Sequence, residues 1–328
     1  MSWIIAAIPD AISLSIVFLL GCIGETINEK SGNLNLGIPG VMCFGAVGGA
    51  VGSLVYMNTI YKVLPVDPTN IMNFGMVISY LLLVIIGIAF AVLFGAIAGA
   101  IFSFLTTTLK ANQNVTGLAL TTFGAGFADF VMSLLRNDET KPLFKTASNI
   151  LRIGLPNPDI NILVYIAFAL AVVIFLVLNK TRIGLSLRSV GENPATADAA
   201  GINTDAYKYG ATLVGCGIAG FGGFFYLMSH TAGTWENSST LQGYGWMVLA
   251  LVIFTIWNPL IAIAGSLIFG FLSVSPYFIT GVGFVQMEVL KMLPYLVTVI
   301  VLVITSIIGK KDVTPPDALG MNYFREER

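Results

Sequence analysis

TRIGLSLRSVGENPATADAAGIN, residues 181–203, decides how the chain is read, because it is soluble sequence set inside an apolar one. It carries Arg182, Arg188, Glu192 and Asp198 and contains a short helix with its own start and stop. The Asn193 side chain can accept one of the free N–H groups at a helix start, and Pro194 suits the first helical position, where a missing N–H costs nothing. Ala195–Ala200 propagate the helix, and Gly201 stands where a left-handed residue would end it. A small alanine-faced helix on a polar loop between apolar runs has the form of a docking element. It implies a chain that is moved by something else.

The rest of the chain sets its solvent. Of 328 residues, 56% are hydrophobic and only 10% are charged, against about 25% in soluble domains. An integral membrane protein follows, with a mean hydropathy of +0.87. A formal net charge of −1 gives nucleic acid no electrostatic hold, so no nucleic-acid partner is expected. Cys22, Cys43 and Cys216 lie singly in apolar runs, which predicts buried free thiols and no disulfide framework. There is no GxSxG and no GxxxxGK[ST] phosphate loop, and the glycine-rich residues 217–223 lack the strand that a dinucleotide fingerprint needs. His230, the sole histidine, has no HExxH around it, so neither catalysis nor a metal site is expected. The first residues, MSWIIAAIPD, read as the start of a span and not as a signal peptide.

A span needs about 20 apolar residues. Candidates run over 8–27, 36–57, 74–105, 115–135, 160–178, 207–228, 244–257, 260–274 and 289–308. This predicts an all-α polytopic membrane protein of about nine transmembrane helices, some broken or re-entrant, in a single transmembrane domain over residues 1–328. The third span reads as one tilted helix or a span plus a half-helix. The seventh and eighth, parted by Asn258-Pro259, read as a tight hairpin or as broken helices.

Four spans separate the loop at 181–206 from the tail at 309–328, which puts both on one face. With that face cytoplasmic, it holds Lys30, Lys110, Lys180, Arg182, Arg188, Lys208, Lys310, Lys311, Arg325 and Arg328. Lys62, Arg136, Lys141, Lys145, Arg152 and Lys291 lie outside, so the excess of basic residues favours a cytoplasmic C-terminus and an external N-terminus.

Polar residues within the spans mark the remaining candidates. Gly45–Gly49, Gly48–Gly52 and Gly95–Gly99 are small-xxx-small pairs that let helices approach closely in lipid. GNLNLGIPG, residues 32–40, predicts a second span that is broken or begins deep in the membrane, as helices along a transport route do. Glu25 and Glu29, one turn apart before Lys30, read as a solvated helix end with an internal ion pair or as a polar lining beside Asn33 and Asn35. Asp129 lies in an apolar span, where a carboxylate needs a partner or water. Trp235, Glu236 and Asn237 read as an interfacial anchor or an outer rim that receives a partner or substrate.

LGCIGETINEKSGNLNLGIPGVMCFGAVGG (20–49), LKANQNVTGLALTTFGAG (109–126), RIGLSLRSVGENPATADAAGIN (182–203) and TWENSSTLQGYGWMVLALVIFTIWNP (234–259) resemble permease subunits of bacterial ABC importers. The group is that of branched-chain amino acid and ribose permeases. The likeness is greatest to the nucleoside branch, whose binding proteins are basic-membrane-protein lipoproteins, and it runs from about residue 14 to 320. The resemblance implies an ABC importer permease fold in the bacterial cell membrane, with no ATP site of its own. ATP and magnesium would be used by a cytoplasmic ATPase partner.

It also implies a second, non-identical permease half and an extracellular substrate-binding lipoprotein. By the same likeness Gly191, Glu192, Asn193, Pro194, Ala195, Ala199 and Gly201 belong to the coupling helix that rests on the ATPase. Asn33, Asn35, Gln113, Asn114, Asp129, Trp235 and Glu236 are the candidates for a path suited to a flat, neutral, hydrogen-bonding solute. Ile38-Pro39 stands where the family usually has an acidic residue, which predicts a different bend in the second span. The competing reading is a proton-coupled secondary transporter with Glu25, Asp129 or Glu288 as carrier.

Overall fold

A computed structural model describes residues 2–65, 74–153, 161–279, 283–308 and 315–324. Its regular elements are helical: α1 (Ser2–Lys30), α2 (Ile38–Thr59), α3 (Phe74–Ser103), α4 (Gln113–Leu135), α5 (Thr140–Leu151), α6 (Ile162–Lys180), α7 (Arg182–Glu192) and α8 (Pro194–Ala199). They continue with α9 (Thr204–Phe225), α10 (Ser239–Phe254), α11 (Pro259–Phe278), α12 (Phe284–Lys291) and α13 (Leu293–Ile308). Single π turns extend α3 through Thr108 and α9 through His230.

Eight helical stretches among the described residues are long and apolar enough to span a membrane. α10, with 16 residues, falls short at about 24 Å. It still joins the two faces because its start is sunk in the protein. The Ser238 hydroxyl just before it donates to Asp129 at 2.7 Å, and Asp129 lies about 9 Å inside the end of α4. At its other end the Trp257 indole donates to Glu29 of α1. The sequence predicted about nine spans; among the described residues eight helices have spanning length and α10 is a shorter apolar ninth.

The loop and the tail share a face. Ala318 N–H donates to the Gly191 carbonyl and Gly320 N–H to that of Gly32, each at 3.0 Å. Within the tail only 315–324 is described, and Lys310, Lys311, Arg325 and Arg328 lie outside the described residues.

α1, α2 and α9 form the buried centre, while α3, α4 and α6 are buried over only about a third of their length. Glycine makes that centre possible. A Cβ on Gly45 would lie 2.2 Å from the Gly220 Cα, and one on Gly223 would lie 1.9 Å from the Met42 carbonyl. α3 closes on α9 in the same way, Gly95 lying against the Cys216 carbonyl. The small-residue pairs are therefore helix-packing contacts. All three cysteines are buried and free.

Two sequence expectations need correction, and a third is decided between its alternatives. Pro39 does not bend the second span: it sits in the first turn of α2, where no hydrogen bond is lost, and the helix runs unbroken to Thr59. Of the two readings of the third span, the single helix holds, running from Gly75 to Thr108. The basic stretch after Arg136 is not plain loop. Its residues 140–151 form α5, which buries Phe144, Ala147, Ile150 and Leu151 at helical spacing.

Candidate functional site

The docking element is two helices where the sequence suggested one. Thr181 caps α7, its hydroxyl accepting from Gly184 N–H at 3.2 Å, and α7 buries Leu187 and Val190 while Ile183 and Leu185 face outward. α8 follows with the expected ends. The Asn193 carboxamide oxygen accepts from Thr196 N–H at 3.0 Å, Pro194 opens the helix, and Gly201 has φ +82°. Ala197 packs inward, leaving Ala195, Thr196 and Ala199 exposed. Glu192, Asn193 and Gly201 are exposed beside them, and Pro194 is half-buried. Gly191 offers no surface: a Cβ there would lie 2.3 Å from the Lys30 carbonyl. α7 was legible in Thr181 and in the 183-187-190 spacing, which the polar composition of the loop obscured.

The tail straps this face together. Besides Gly191 and Gly32 it engages Lys110, whose carbonyl accepts from the Asn322 side chain at 2.6 Å. Lys208 Nζ donates to the Met321 carbonyl at 3.5 Å, and the Tyr323 hydroxyl donates to Asp198 of α8 at 2.9 Å. A cleft of about 520 Å³ lies between tail and loop, lined by Lys110, Asp198, Asp205, Tyr323 and Phe324 among others.

Directly inside lies the break between α1 and α2. As expected it starts a helix deep: Thr121, eight residues into α4, donates its hydroxyl to the Leu36 carbonyl at 2.9 Å. Asn33 donates to Thr212 at 2.9 Å, and Asn35 donates its backbone N–H to Glu25 at 3.2 Å and its side chain to Cys216. Gln113 accepts from Leu34 N–H at 2.7 Å. Asn33, Asn35 and Gln113 are buried, each in a bond that fixes the break.

Glu25 and Glu29 are not a solvated helix end. Both are buried, and neither forms an ion pair with Lys30 among the described residues. Glu25 also accepts from Asn28 at 2.8 Å, and Glu29 takes the Trp257 indole N–H. The last turns of α1 are covered by the sunken break and by the α10–α11 turn, depth that residue spacing does not encode.

At the opposite face Asp129 accepts from the Trp235 indole at 3.0 Å as well as from Ser238. Arg136 donates to the Trp235 carbonyl. Trp235 is thus a buried clasp, with Glu236 exposed beside a cavity of about 290 Å³ that Asp129, Arg136 and Lys141 also line. Asn114 is exposed on α4, remote from this rim. Thr122, Gly126 and Ser133 form a polar or small exposed stripe farther along that helix, beyond exposed Val115 and Leu118. His230 ends the π turn of α9, its Nδ1 3.4 Å from the Ser13 hydroxyl. Glu288 pairs with Lys291 at 2.7 Å on exposed α12.

Comparison with known proteins agrees with this geometry. Residues 8–302 match the family described as the permease component of branched-chain amino acid transport systems. The nucleoside ABC transporter permease protein NupC of Lactococcus lactis subsp. cremoris is 31% identical over 93% of this chain and 92% of its own. The guanosine ABC transporter permease protein NupQ of Bacillus subtilis is 27% identical over 98% and 97%. The putative glucose ABC transporter permease protein TsgC13 of Haloferax volcanii is 29% identical over 83% and 77%. No solved structure matches the chain. A helical bundle of spanning length with a short capped helix exposed on one face, matched over residues 8–302, belongs to the permease family of the branched-chain amino acid transport systems.

Proposed function

We propose that this chain is the permease subunit of a bacterial ABC importer for nucleosides, driven through α8 by a cytoplasmic ATPase that binds the ATP and magnesium. The observation that carries the reading is α8 itself: capped at both ends, anchored by Ala197, and presenting only small side chains outward. Such a surface fits a groove on a partner without excluding it by bulk. The nucleoside assignment follows the names of NupC and NupQ; TsgC13 marks sugars as the alternative solute.

The α8 face is cytoplasmic in this reading and the N-terminus is external. A second, non-identical permease faces the polar stripe of α4, which puts Thr122, Gly126 and Ser133 on the path between the halves. An extracellular lipoprotein delivers solute at the rim of Asp129, Trp235 and Glu236. Asn33, Asn35 and Gln113 act by holding the break in place.

The test replaces Ala195 and Ala199 together with arginine, leaving buried Ala197 untouched, in the complex co-purified with its ATPase. The expected result is a permease that folds normally and loses either the ATPase or nucleoside-stimulated hydrolysis. Unchanged uptake and stimulation in that variant would overturn the assignment of α8. Stimulation by glucose or ribose in place of nucleosides would overturn the substrate alone.

A further inference from the structure

An apolar groove of about 420 Å³ lies between α6 and α9 at their α7 end. Ile27 of α1 floors it, Ile174 and Leu178 line one wall, Tyr207 and Gly210 the other, and Leu187 of α7 closes it. It exists because α6 packs on α1 and α11 and stays apart from α9, while α7 bridges the gap. A Cβ built on Gly210 meets nothing within 4 Å. Ile183 and Val214 on its lips are more than half exposed, so the groove opens sideways from the bundle. A hydrocarbon-lined slot of this kind does not hold water, and in a membrane it is filled by apolar chain.

The charge beside it says which chain. Lys180 and Arg182 sit on the turn that joins α6 to α7, and in sequence they are flanked by Val177, Leu178, Ile183 and Gly184 of the groove. Both are exposed, and neither has an ion-pair partner among the described residues. No Asp or Glu lines the groove. Two exposed cations on the turn between two walls of an apolar slot, at the end of a spanning helix, match an anionic headgroup above an acyl chain. We propose that this groove binds an anionic phospholipid, with one acyl chain between α6 and α9 and the phosphate held by Lys180 and Arg182. The lipid then supports the underside of α7, the helix that carries α8.

The test is lipid retention by the intact complex, equilibrated with equal amounts of phosphatidylglycerol and phosphatidylcholine and analysed by mass spectrometry after washing. The wild type is expected to retain phosphatidylglycerol preferentially. Gly210→Leu, which adds a side chain into open space, lowers the retained lipid about tenfold, equivalent to roughly 1.4 kcal/mol. Lys180→Gln with Arg182→Gln keeps a lipid but loses the preference for phosphatidylglycerol. That second variant decides the matter if Gly210→Leu does not fold. Unchanged retention in Gly210→Leu, equal retention of the two lipids by wild type, or a crosslink from Gly210→Cys to the second permease would each overturn the proposal. The crosslink would make the groove a protein interface.

Discussion

The Tyr323 hydroxyl donates to the Asp198 carboxylate at 2.9 Å, so the end of the chain holds the last turn of the docking helix. The same tail segment donates from Gly320 N–H to the Gly32 carbonyl at 3.0 Å. One short strap therefore links α8 to the break between α1 and α2. If α8 is the surface a partner moves, as proposed, the strap is its covalent and hydrogen-bonded route to the buried asparagines of that break.

Tyr323→Phe removes one hydrogen bond to a charged acceptor on a half-buried strap, worth about 1.5–3 kcal/mol. That is too little to unfold the chain and enough to loosen the link. The expected outcome is normal yield and normal basal hydrolysis, with solute-stimulated hydrolysis reduced several-fold. A variant with full stimulation shows that α8 moves without the strap.

The crossing of α2 and α9 is set by backbone contact. Gly45→Ala would drive a methyl to within 2.4 Å of three backbone atoms of Gly220. Neither helix can yield without breaking the buried centre. A loss of several kcal/mol is expected, seen as a collapse of the monodisperse peak on fluorescence-detected size exclusion. Gly126→Ala on the open face of α4 meets nothing within 4 Å and should leave that peak unchanged. Equal behaviour of the two variants would contradict the packing.

Glu25 accepts two buried donors, one on each oxygen, whereas Glu29 accepts the Trp257 indole on one. Glu25→Ala strands both Asn35 N–H and the Asn28 amide, at about 1–3 kcal/mol for each group. Glu29→Gln keeps an oxygen for Trp257 and costs far less. Thermal unfolding in detergent should show a large loss for the first and a small one for the second. A stable Glu25→Ala variant that nonetheless fails in uptake would return Glu25 to the solute path.

These contrasts also show what the sequence reveals. The cap at Asn193, the stop at Gly201 and the deep start of α2 are local signals, written within a few residues and read correctly from them. The passes follow from apolar length, although α10 is too short to span unless Ser238 is known to reach Asp129. What escapes is contact between residues far apart in the chain. Trp257 meets Glu29 across 228 positions and Tyr323 meets Asp198 across 125, and no periodicity announces either. The solvated reading of Glu25 and Glu29 failed for the same reason, since their cover comes from other elements.

The path between permease halves gives the last prediction. Residues 122, 126 and 133 recur on one side of α4 because steps of four and seven return a helix to nearly the same face. The stripe is exposed in this chain, the Thr122 and Ser133 hydroxyls donating to the Leu118 and Phe130 carbonyls of their own helix. Against a water-filled seam it has a function. Thr122→Cys and Gly126→Cys in the assembled complex should therefore react with a membrane-impermeant thiol reagent, and saturating nucleoside should slow the reaction. Val173→Cys, 51% exposed on α6 but facing acyl chains, should not react. The native thiols at Cys22, Cys43 and Cys216 are fully buried and add no background. Reaction at Val173 but not at Thr122 would place the seam on the α6 side and remove α4 from the path.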